Sequence, residues 1–169
     1  MKLEMLTVGP FEENCYLYWE EKGGQGVIFD PGAEADRIIR TIEKAAFEPL
    51  AILLTHGHGD HIGALIEVKS RWNLPVYIGK GEEEYLSDPH KNGSANYGAP
   101  FKTPNPEFLV EDEIVYRFGS IELRVLSTPG HTKNGICFLD EHQGVLFCGD
   151  TLFQGSIGRT DLYGGSYDT

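Results

Sequence analysis

Several features are scarce or missing in this sequence, and each shortage excludes a class of protein. Cysteine occurs only three times, as Cys15, Cys137 and Cys148, and the three positions are widely separated. An odd number without a C-x-x-C pair argues against a disulfide framework and against a zinc site made of thiolates. We therefore expect all three cysteines to be reduced, buried thiols. Long hydrophobic runs are missing too, since none approaches the roughly 20 residues that a transmembrane helix requires.

Basic residues are also scarce. The chain has 14 Lys and Arg against 26 Asp and Glu, which gives a formal net charge of -12. This charge repels nucleic-acid phosphates and anionic lipids, so we expect neither nucleic acid nor a membrane surface as a partner. The longest acidic runs, at 82–84 and 111–113, are typical of a solvated surface. The first twenty residues lack the apolar stretch and cleavage site of a secretory signal, which predicts a cytoplasmic location.

The hydrophobic pattern predicts one domain that spans residues 1–169. Short β-type runs separated by glycine and proline turns dominate both ends of the chain, and helical spacing occurs between them. This order predicts an α/β fold in which sheets and helices form layers. The predicted strands cover 2–8, 14–20, 26–30, 50–55, 74–78, 113–119, 121–130, 135–140 and 144–150; the predicted helices cover 33–47, 60–72 and 81–86; and 88–106 is a long loop.

The segment LLTHGHGDHIGA, residues 53–64, holds three of the six histidines in the chain. It joins a predicted buried strand to a predicted helix. His56 and His58, two positions apart on an extended segment, can turn their rings to the same side and bind one cation. Asp60 and His61 start the helix, point elsewhere, and are candidates for binding a second cation. Neutral imidazole and carboxylate suit zinc, iron or manganese.

Two later motifs repeat the same order of strand, sharp turn and potential ligand. STPGHT places His131 in a Pro-Gly turn after an apolar strand, and LFCGDT places Asp150 after another. Either residue alone would more often be an ordinary turn residue. Beside the first motif, both become candidates for the remaining ligands.

Together the three motifs resemble those of the metallo-β-lactamase superfamily. THGHGDH at 55–61, PGHT at 129–132 and GDT at 149–151 have the order and spacing of that superfamily. GPFEENCYL near the start and GRTDLYGGS near the end are similar to the small glyoxalase-II-like thioester hydrolases. The resemblance covers the whole chain and implies a four-layer αββα sandwich with metals at one edge of its two sheets.

The resemblance also implies two metal sites that share one carboxylate. The implied ligands are His56, His58 and His131 for the first metal, Asp60 and His61 for the second, and Asp150 as the bridge. Asp30, in VIFDPG, would support a ligand from behind. The implied cofactor is zinc, two ions in the complete protein, with iron and manganese as alternatives. Water between two cations loses its proton near neutral pH, and Asp60 would orient the resulting hydroxide.

The superfamily pattern contains one more histidine beyond the bridging aspartate. This sequence ends at Thr169, and GGSYDT offers helix N-caps without a helix after them. His90 and His142 do not fit the pattern and are interpreted as surface residues. We therefore expect a domain that is incomplete at its C-terminus, lacks its last helix, strand and ligand histidine, and binds the second metal weakly.

The function implied by the resemblance is hydrolysis of a small-molecule thioester or ester, as in hydroxyacylglutathione hydrolases. Two alternatives remain open. Persulfide dioxygenases have a similar fold and a similar GRTD loop. If this chain were one of them, it would bind a single iron through His56, His131 and Asp150. The chain would otherwise be an inactive metal-binding fragment. The sequence does not indicate an oligomeric state.

The GRTD loop has two interpretations of its own. Arg159, Thr160 and Asp161 either close a glycine-rich turn through an Arg–Asp ion pair or form a wall near the metals.

Overall fold

This computed structural model describes residues 1–21 and 23–169, which form two main β-sheets, a two-stranded hairpin and short helices. The strands are β1 (Lys2–Val8), β2 (Glu13–Trp19), β3 (Gln25–Phe29), β4 (Glu48–Leu54), β5 (Val76–Gly79), β6 (Phe108–Val110), β7 (Val115–Phe118), β8 (Ile121–Ser127), β9 (Ile136–Asp140), β10 (Val145–Phe147), β11 (Leu152–Phe153) and β12 (Ser156–Ile157). The helices are α1 (Ala35–Ala45), α2 (Gly59–Ile62), α3 (Leu65–Trp72) and α4 (Glu83–Ser87), with a 3₁₀ turn at Ser94–Tyr97.

The larger sheet has six strands in the order β1-β2-β3-β4-β5-β6. Its first three strands are antiparallel, whereas β3 to β6 run parallel to one another. The smaller sheet is antiparallel, in the order β10-β9-β8-β7, and β11 and β12 form a separate hairpin. Because β3 and β4 are parallel neighbours, the loops that follow them leave the same edge of the larger sheet.

Two hydrophobic clusters hold the layers together. Alternate residues of β4 point to opposite faces of its sheet. Ile52 and Leu54 face helices α1 and α3, while Leu53 faces the smaller sheet. Ile38 and Ile42, one turn apart on α1, are buried in the first cluster. The layers are therefore helix, sheet and sheet, which confirms the predicted α/β sandwich.

The four-layer arrangement also has helices outside the smaller sheet. In the described residues, that outer face carries the exposed Leu146 and surface ion pairs. Arg124 Nη2 lies 3.0 Å from Glu141 Oε2, and Arg117 Nε lies 2.7 Å from Glu122 Oε1. This face is thus largely polar in the structure.

The helix predicted over 60–72 is interrupted, so that prediction is wrong in its middle. The amide of Ala64 donates a 2.9 Å hydrogen bond to the carbonyl of Pro31 instead of to the preceding turn. A Cβ at Gly63 would lie only 2.3 Å from the carbonyl oxygen of Gly32. The loop after β3 therefore packs directly on the backbone between α2 and α3, and this contact ends the first helix.

The sequence did not predict two short elements, strand β6 and the 3₁₀ turn. Strand β6 has three residues and pairs in parallel with β5, which is too short for a periodic pattern to show. The region predicted as a loop, 88–106, contains the 3₁₀ turn and is held by its own polar contacts. Asn92 Nδ2 donates to the carbonyl of Phe101, and the carbonyl of Asn92 accepts from the amide of Gly59. The loop is therefore attached to the start of α2.

All three cysteines are free thiols, as predicted. Cys15 and Cys137 are buried, but Cys148 is partly exposed because it lies in the loop after β10. In the described ranges, none of the helices combines the length and hydropathy needed to cross a bilayer.

Candidate metal centre

Four strand ends deliver the candidate ligands to one edge of the two sheets. Asp30 directly follows β3, and Thr55 and His56 directly follow β4. His131 lies in the turn after β8, and Asp150 in the loop after β10. Asp30 has a φ of 46°, in the left-handed region. That unusual conformation turns the chain sharply towards the site, and Asp tolerates it better than most residues.

His56, His58 and His131 form the first cluster of potential ligands. Their ring centroids are 4.6 to 4.8 Å apart, and one nitrogen from each lies within 4.8 Å of the others. His58 Nδ1 lies 2.9 Å from His131 Nε2. All three rings are largely buried. The loop after β4 and the turn after β8 therefore come together as the sequence motifs predicted.

Asp150 lies between this cluster and a second one. Its Oδ1 is 3.2 Å from His61 Nε2, and its Oδ2 is 3.5 Å from His131 Nε2. His56, His61 and Asp150 offer a second group of ligand atoms within 4.8 Å of one another. One carboxylate thus presents one oxygen to each side, which is the geometry that a bridging ligand needs.

Asp60 lies at the margin of the second group. Its Oδ2 is 4.0 Å from His61 Nε2, and its side chain is 29% exposed. It lines the cavity in front of the cluster together with His58, His131 and Asp150. The structure therefore brings Asp60 next to the ligands without drawing it into either group.

Unpartnered nitrogen atoms indicate that this cluster fits metal ions. Within the described residues, the buried Nε2 atoms of His56 and His58 have no hydrogen-bond partner, and the buried Nε2 of His61 has only Asp150 Oδ1 beside it, at 3.2 Å. Burying a polar atom without a partner costs about 1–3 kcal/mol, and a bound cation would remove that cost. Burial, helped by the neighbouring histidines, lowers the pKa of His56 well below its usual range and that of His58 to about 3. Both rings are neutral at pH 7, the form that binds metal.

Asp30 holds His61 from behind. It accepts hydrogen bonds from the amide of Thr55 at 2.8 Å and from Thr55 Oγ1 at 2.6 Å, and its Oδ2 lies 3.1 Å from His61 Nδ1. This contact orients the ring so that Nε2 faces Asp150, and it would keep a proton on Nδ1 when Nε2 binds a cation. Burial alone would lower the pKa of His61, but the carboxylates of Asp150 and Asp30 raise it well above its usual range.

Glu13, at the start of β2, is a residue that the sequence reasoning missed. Its side chain is only 2% exposed, and Glu13 Oε1 lies 3.7 Å from His61 Nδ1. Neither carboxylate oxygen has a hydrogen-bond partner, and burial raises the pKa of Glu13 to about 9. One sequence feature could have indicated it: Glu13 is an acidic residue at the start of an apolar strand, within the GPFEENCYL motif that supports the family resemblance.

Glu82 corrects a second sequence interpretation. The acidic run 82–84 was predicted to be solvated, and 111–113 is indeed exposed, but Glu82 has no exposed surface. Its Oε2 accepts a hydrogen bond from the amide of Gly57, and its Oε1 accepts one from the amide of Asn134. The turn between β5 and α4 packs against the histidine loops, so its first acid is enclosed while its neighbours stay nearer the solvent.

The GRTD loop contains the expected Arg–Asp ion pair and also contacts the histidine cluster. Arg159 forms a two-pronged ion pair with Asp161, at 2.7 and 2.8 Å, on an exposed surface. The carbonyl of Arg159 also accepts a 2.7 Å hydrogen bond from His131 Nδ1, which leaves Nε2 free to face the cluster. Thr160 follows on the rim of a separate small cavity behind His131. A Cβ at Gly158 would lie 1.9 Å from the carbonyl oxygen of Asp150, so only glycine fits there.

Two adjoining cavities open in front of the cluster. The first, of about 260 Å³, is lined by the ligand candidates His58, Asp60, His131 and Asp150 and by Phe11, His90, Lys91, Tyr97 and Arg159. The second, of about 320 Å³, has mainly apolar walls that include Val8, Pro10, Ala33, Ala99 and Phe101. Phe11, Asp60 and Tyr97 line both cavities. A ligand at the metal site can therefore extend into an apolar space.

His90 and His142 both have exposed rings, as predicted, although His90 also lines the first cavity.

Histidines and an aspartate gathered at one edge of two packed sheets define a metal-binding centre. The chain belongs to the metallo-beta-lactamase superfamily, whose sequence model matches residues 8–169.

Relatives and solved structures agree with this assignment. The chain is 41% identical over its whole length to a probable metallo-hydrolase, YqgX, of Bacillus subtilis, and covers 80% of that protein. It is 35% identical, again over its whole length, to the hydroxyacylglutathione hydrolase GloC of Haemophilus influenzae, of which it also covers 80%. Among solved structures, the BLEG-1 B3 metallo-beta-lactamase superposes with a TM-score of 0.94 at 38% identity, over 99% of this chain and 80% of that one. TTHA1623, in a di-iron-bound form, superposes with a TM-score of 0.85 at 35% identity, over 98% of this chain and 80% of that one.

Proposed function

We propose that this protein is a metal-dependent hydrolase of thioesters or related esters. The single observation that carries the proposal is the position of Asp150, with one carboxylate oxygen towards each of two ligand groups, beside a cavity that a substrate can enter. Two adjacent cations of this kind would lower the pKa of a water molecule and polarise a carbonyl group. The similarity to a hydroxyacylglutathione hydrolase supports a thioester as the substrate.

The residues of the chain would bind the cations, transfer the proton and restrict the access of water. His56, His58 and His131 would hold the first cation, and His61 and Asp150 the second, with Asp60 beside it. Asp60 is partly exposed in the cavity, so it would orient the attacking water and accept its proton. Phe11 and Tyr97, whose ring centroids lie 4.7 Å apart, line both cavities and would limit the access of bulk water.

The metal that we propose is zinc, bound more tightly by the three-histidine group than by His61 and Asp150. Imidazole and carboxylate ligands are equally suited to iron, and a similar protein has been crystallised in a di-iron-bound form. Metal analysis of the purified protein decides between them.

The apolar cavity narrows the class of substrate. Glu34 and Asp60 stand at its border and would repel an anionic group. The first cavity is also lined by Asp60 and Asp150, but it has the cationic side chains of Lys91 and Arg159 in its wall as well. We propose that an uncharged, apolar acyl group occupies the second cavity, while the thiol carrier lies in the first.

A direct test combines metal analysis with three assays on one preparation. Protein purified with its native metal is assayed for cleavage of acyl thioesters, for cleavage of a β-lactam, and for oxygen uptake with glutathione persulfide. Metal-dependent thioester cleavage above both other activities would support the proposal. Sulfur-dependent oxygen uptake without hydrolysis would replace it with the mononuclear iron dioxygenase, which needs His56, His131 and Asp150 on one ion. Bound metal without any of these activities would point to the inactive metal-binding fragment.

Filling the apolar cavity should change acyl preference. For Ala99→Leu we expect kcat/KM to fall about 10-fold for long apolar acyl thioesters and to change less than 2-fold for acetyl thioesters. The reason is that displacing two methylene groups from an apolar pocket costs about 1.6 kcal/mol. Steady-state kinetics over a series of acyl lengths measures the effect.

The control for this variant is Ala95→Leu, in the same loop but outside the cavity lining. It should leave the length series unchanged. An equal loss for short and long acyl groups in Ala99→Leu would contradict the assignment of this cavity, while leaving thioester hydrolysis itself intact.

A further inference from the structure

A buried carboxylate joins the two loops that carry the three-histidine cluster. Glu82 lies at the turn between β5 and α4 and has no exposed surface. Its Oε2 accepts a hydrogen bond from the amide of Gly57 at 3.2 Å, and its Oε1 accepts one from the amide of Asn134 at 2.9 Å. Gly57 lies between His56 and His58, and Asn134 lies three residues after His131. Each carboxylate oxygen therefore contacts a different histidine loop.

The surrounding turn is packed closely enough to fix this arrangement. A Cβ at Gly57 would lie 2.4 Å from Cβ of Tyr85, on the helix that follows Glu82. A Cβ at Gly79 would lie 2.6 Å from the carbonyl oxygen of Asn134. The end of β5 and the start of α4, on either side of Glu82, thus each pack against one of the two histidine loops.

We infer that Glu82 is a positioning residue that sets the spacing between the His56–His58 loop and the His131 loop, and thereby the affinity of the first metal site. It reaches no ligand atom directly and acts through the two backbone amides. Its effect is on the gap between His58 Nδ1 and His131 Nε2, which is 2.9 Å in the structure. The inference requires that the three histidines bind a cation, but it does not depend on the thioester chemistry.

The chemistry of the contact explains why a carboxylate is needed. A carboxylate only accepts hydrogen bonds, so it can satisfy an amide on each side. Glutamine has nearly the same shape, but its NH₂ group is a donor and would face one of the two amides. The histidine loop on that side would lose its hydrogen bond. It would move away from position 82, because its backbone N–H would face another N–H donor.

The test is metal affinity in Glu82→Gln, measured against Glu83→Gln. Both variants remove one negative charge from adjacent positions of the same turn. Glu83 contacts the amide of Gly81 and neither histidine loop. Apo-protein is titrated with cobalt(II) against a chromophoric chelator, and the visible spectrum at one equivalent reports the geometry of the first site.

We expect Glu82→Gln to weaken the first cobalt-binding step about 10- to 100-fold, as is typical when a residue that orients metal ligands is changed. Its cobalt spectrum should also shift, while Glu83→Gln stays within 2-fold of the parent protein. If Glu82→Gln does not fold, Glu82→Asp keeps the charge with a shorter reach, and a smaller loss of affinity with a shifted spectrum is expected.

A cobalt affinity and spectrum equal to those of Glu83→Gln, in either Glu82 variant, would overturn the inference. A lower unfolding temperature of the apo-protein with unchanged cobalt binding would also overturn it, because that result means that Glu82 stabilises the fold without setting the histidine spacing.

Discussion

Replacement of His131 by alanine should lower kcat/KM for a thioester at least about 1,000-fold. His131 Nε2 lies next to both His58 Nδ1 and Asp150 Oδ2, so its loss removes a proposed ligand of the first site and a neighbour of the carboxylate that we propose to be shared. Metal coordination contributes several kcal/mol of transition-state stabilisation, and each 1.36 kcal/mol is a factor of about ten in rate. The measurement is steady-state kinetics alongside metal content per chain.

The matched control for His131→Ala is His142→Ala. The side chain of His142 is 75% exposed in the turn between β9 and β10. Its removal should change neither activity nor metal content. A His131→Ala protein that keeps its metal and more than a tenth of the parent activity would contradict the proposed first site.

Asp30→Asn should lower both metal affinity and stability. Asparagine is compatible with the left-handed backbone at this position, but its amide cannot accept all three contacts from Thr55 and His61. Charged hydrogen bonds contribute about 1.5–3 kcal/mol each, so we expect unfolding free energy to fall by about 2 kcal/mol. Metal affinity should fall about 10- to 100-fold because the ring of His61 loses its orienting partner. Denaturant unfolding and metal titration measure the two effects.

Asp140→Asn is the control that separates the loss of stability expected for Asp30→Asn from its loss of metal affinity. Asp140 is equally buried, and accepts hydrogen bonds from Tyr18 Oη at 2.8 Å and from the amide of Gln143 at 2.9 Å, on strand β9. Asp140→Asn should lose stability and keep its metal affinity. Equal metal affinities in Asp30→Asn and Asp140→Asn would show that Asp30 does not orient His61.

Much of the fold could be predicted because its strands follow simple hydrophobic patterns. Strand β1 was predicted with its observed bounds of 2–8, and β4 reads as a continuous apolar run because both of its faces are buried. The break between α2 and α3 could not be predicted. It depends on Ala64 donating to Pro31, a contact between segments about thirty residues apart, and nothing in the local helical pattern signals it.

The candidate ligands were accessible from sequence because they lie in short motifs at strand ends. The residues behind them were harder to find. Glu82 belongs to an acidic run that resembles any solvated turn, and its burial results from packing against Gly57 and Asn134, far away in the chain. Glu13 lies in the GPFEENCYL motif, which by itself indicates no role for this residue. Local composition does not show which of several neighbouring acids the tertiary structure encloses.

The position of the Asp150 carboxylate has a thermodynamic consequence. Since one oxygen lies 3.2 Å from His61 Nε2 and the other 3.5 Å from His131 Nε2, a cation bound in either group would fix the orientation of the carboxylate for the other. The two binding equilibria would then be linked, and linkage is reciprocal: the factor by which the first ion changes the affinity for the second equals the factor in the opposite direction. A variant that weakens one site is therefore expected to change the measured affinity of the other, even where the second set of ligands is untouched.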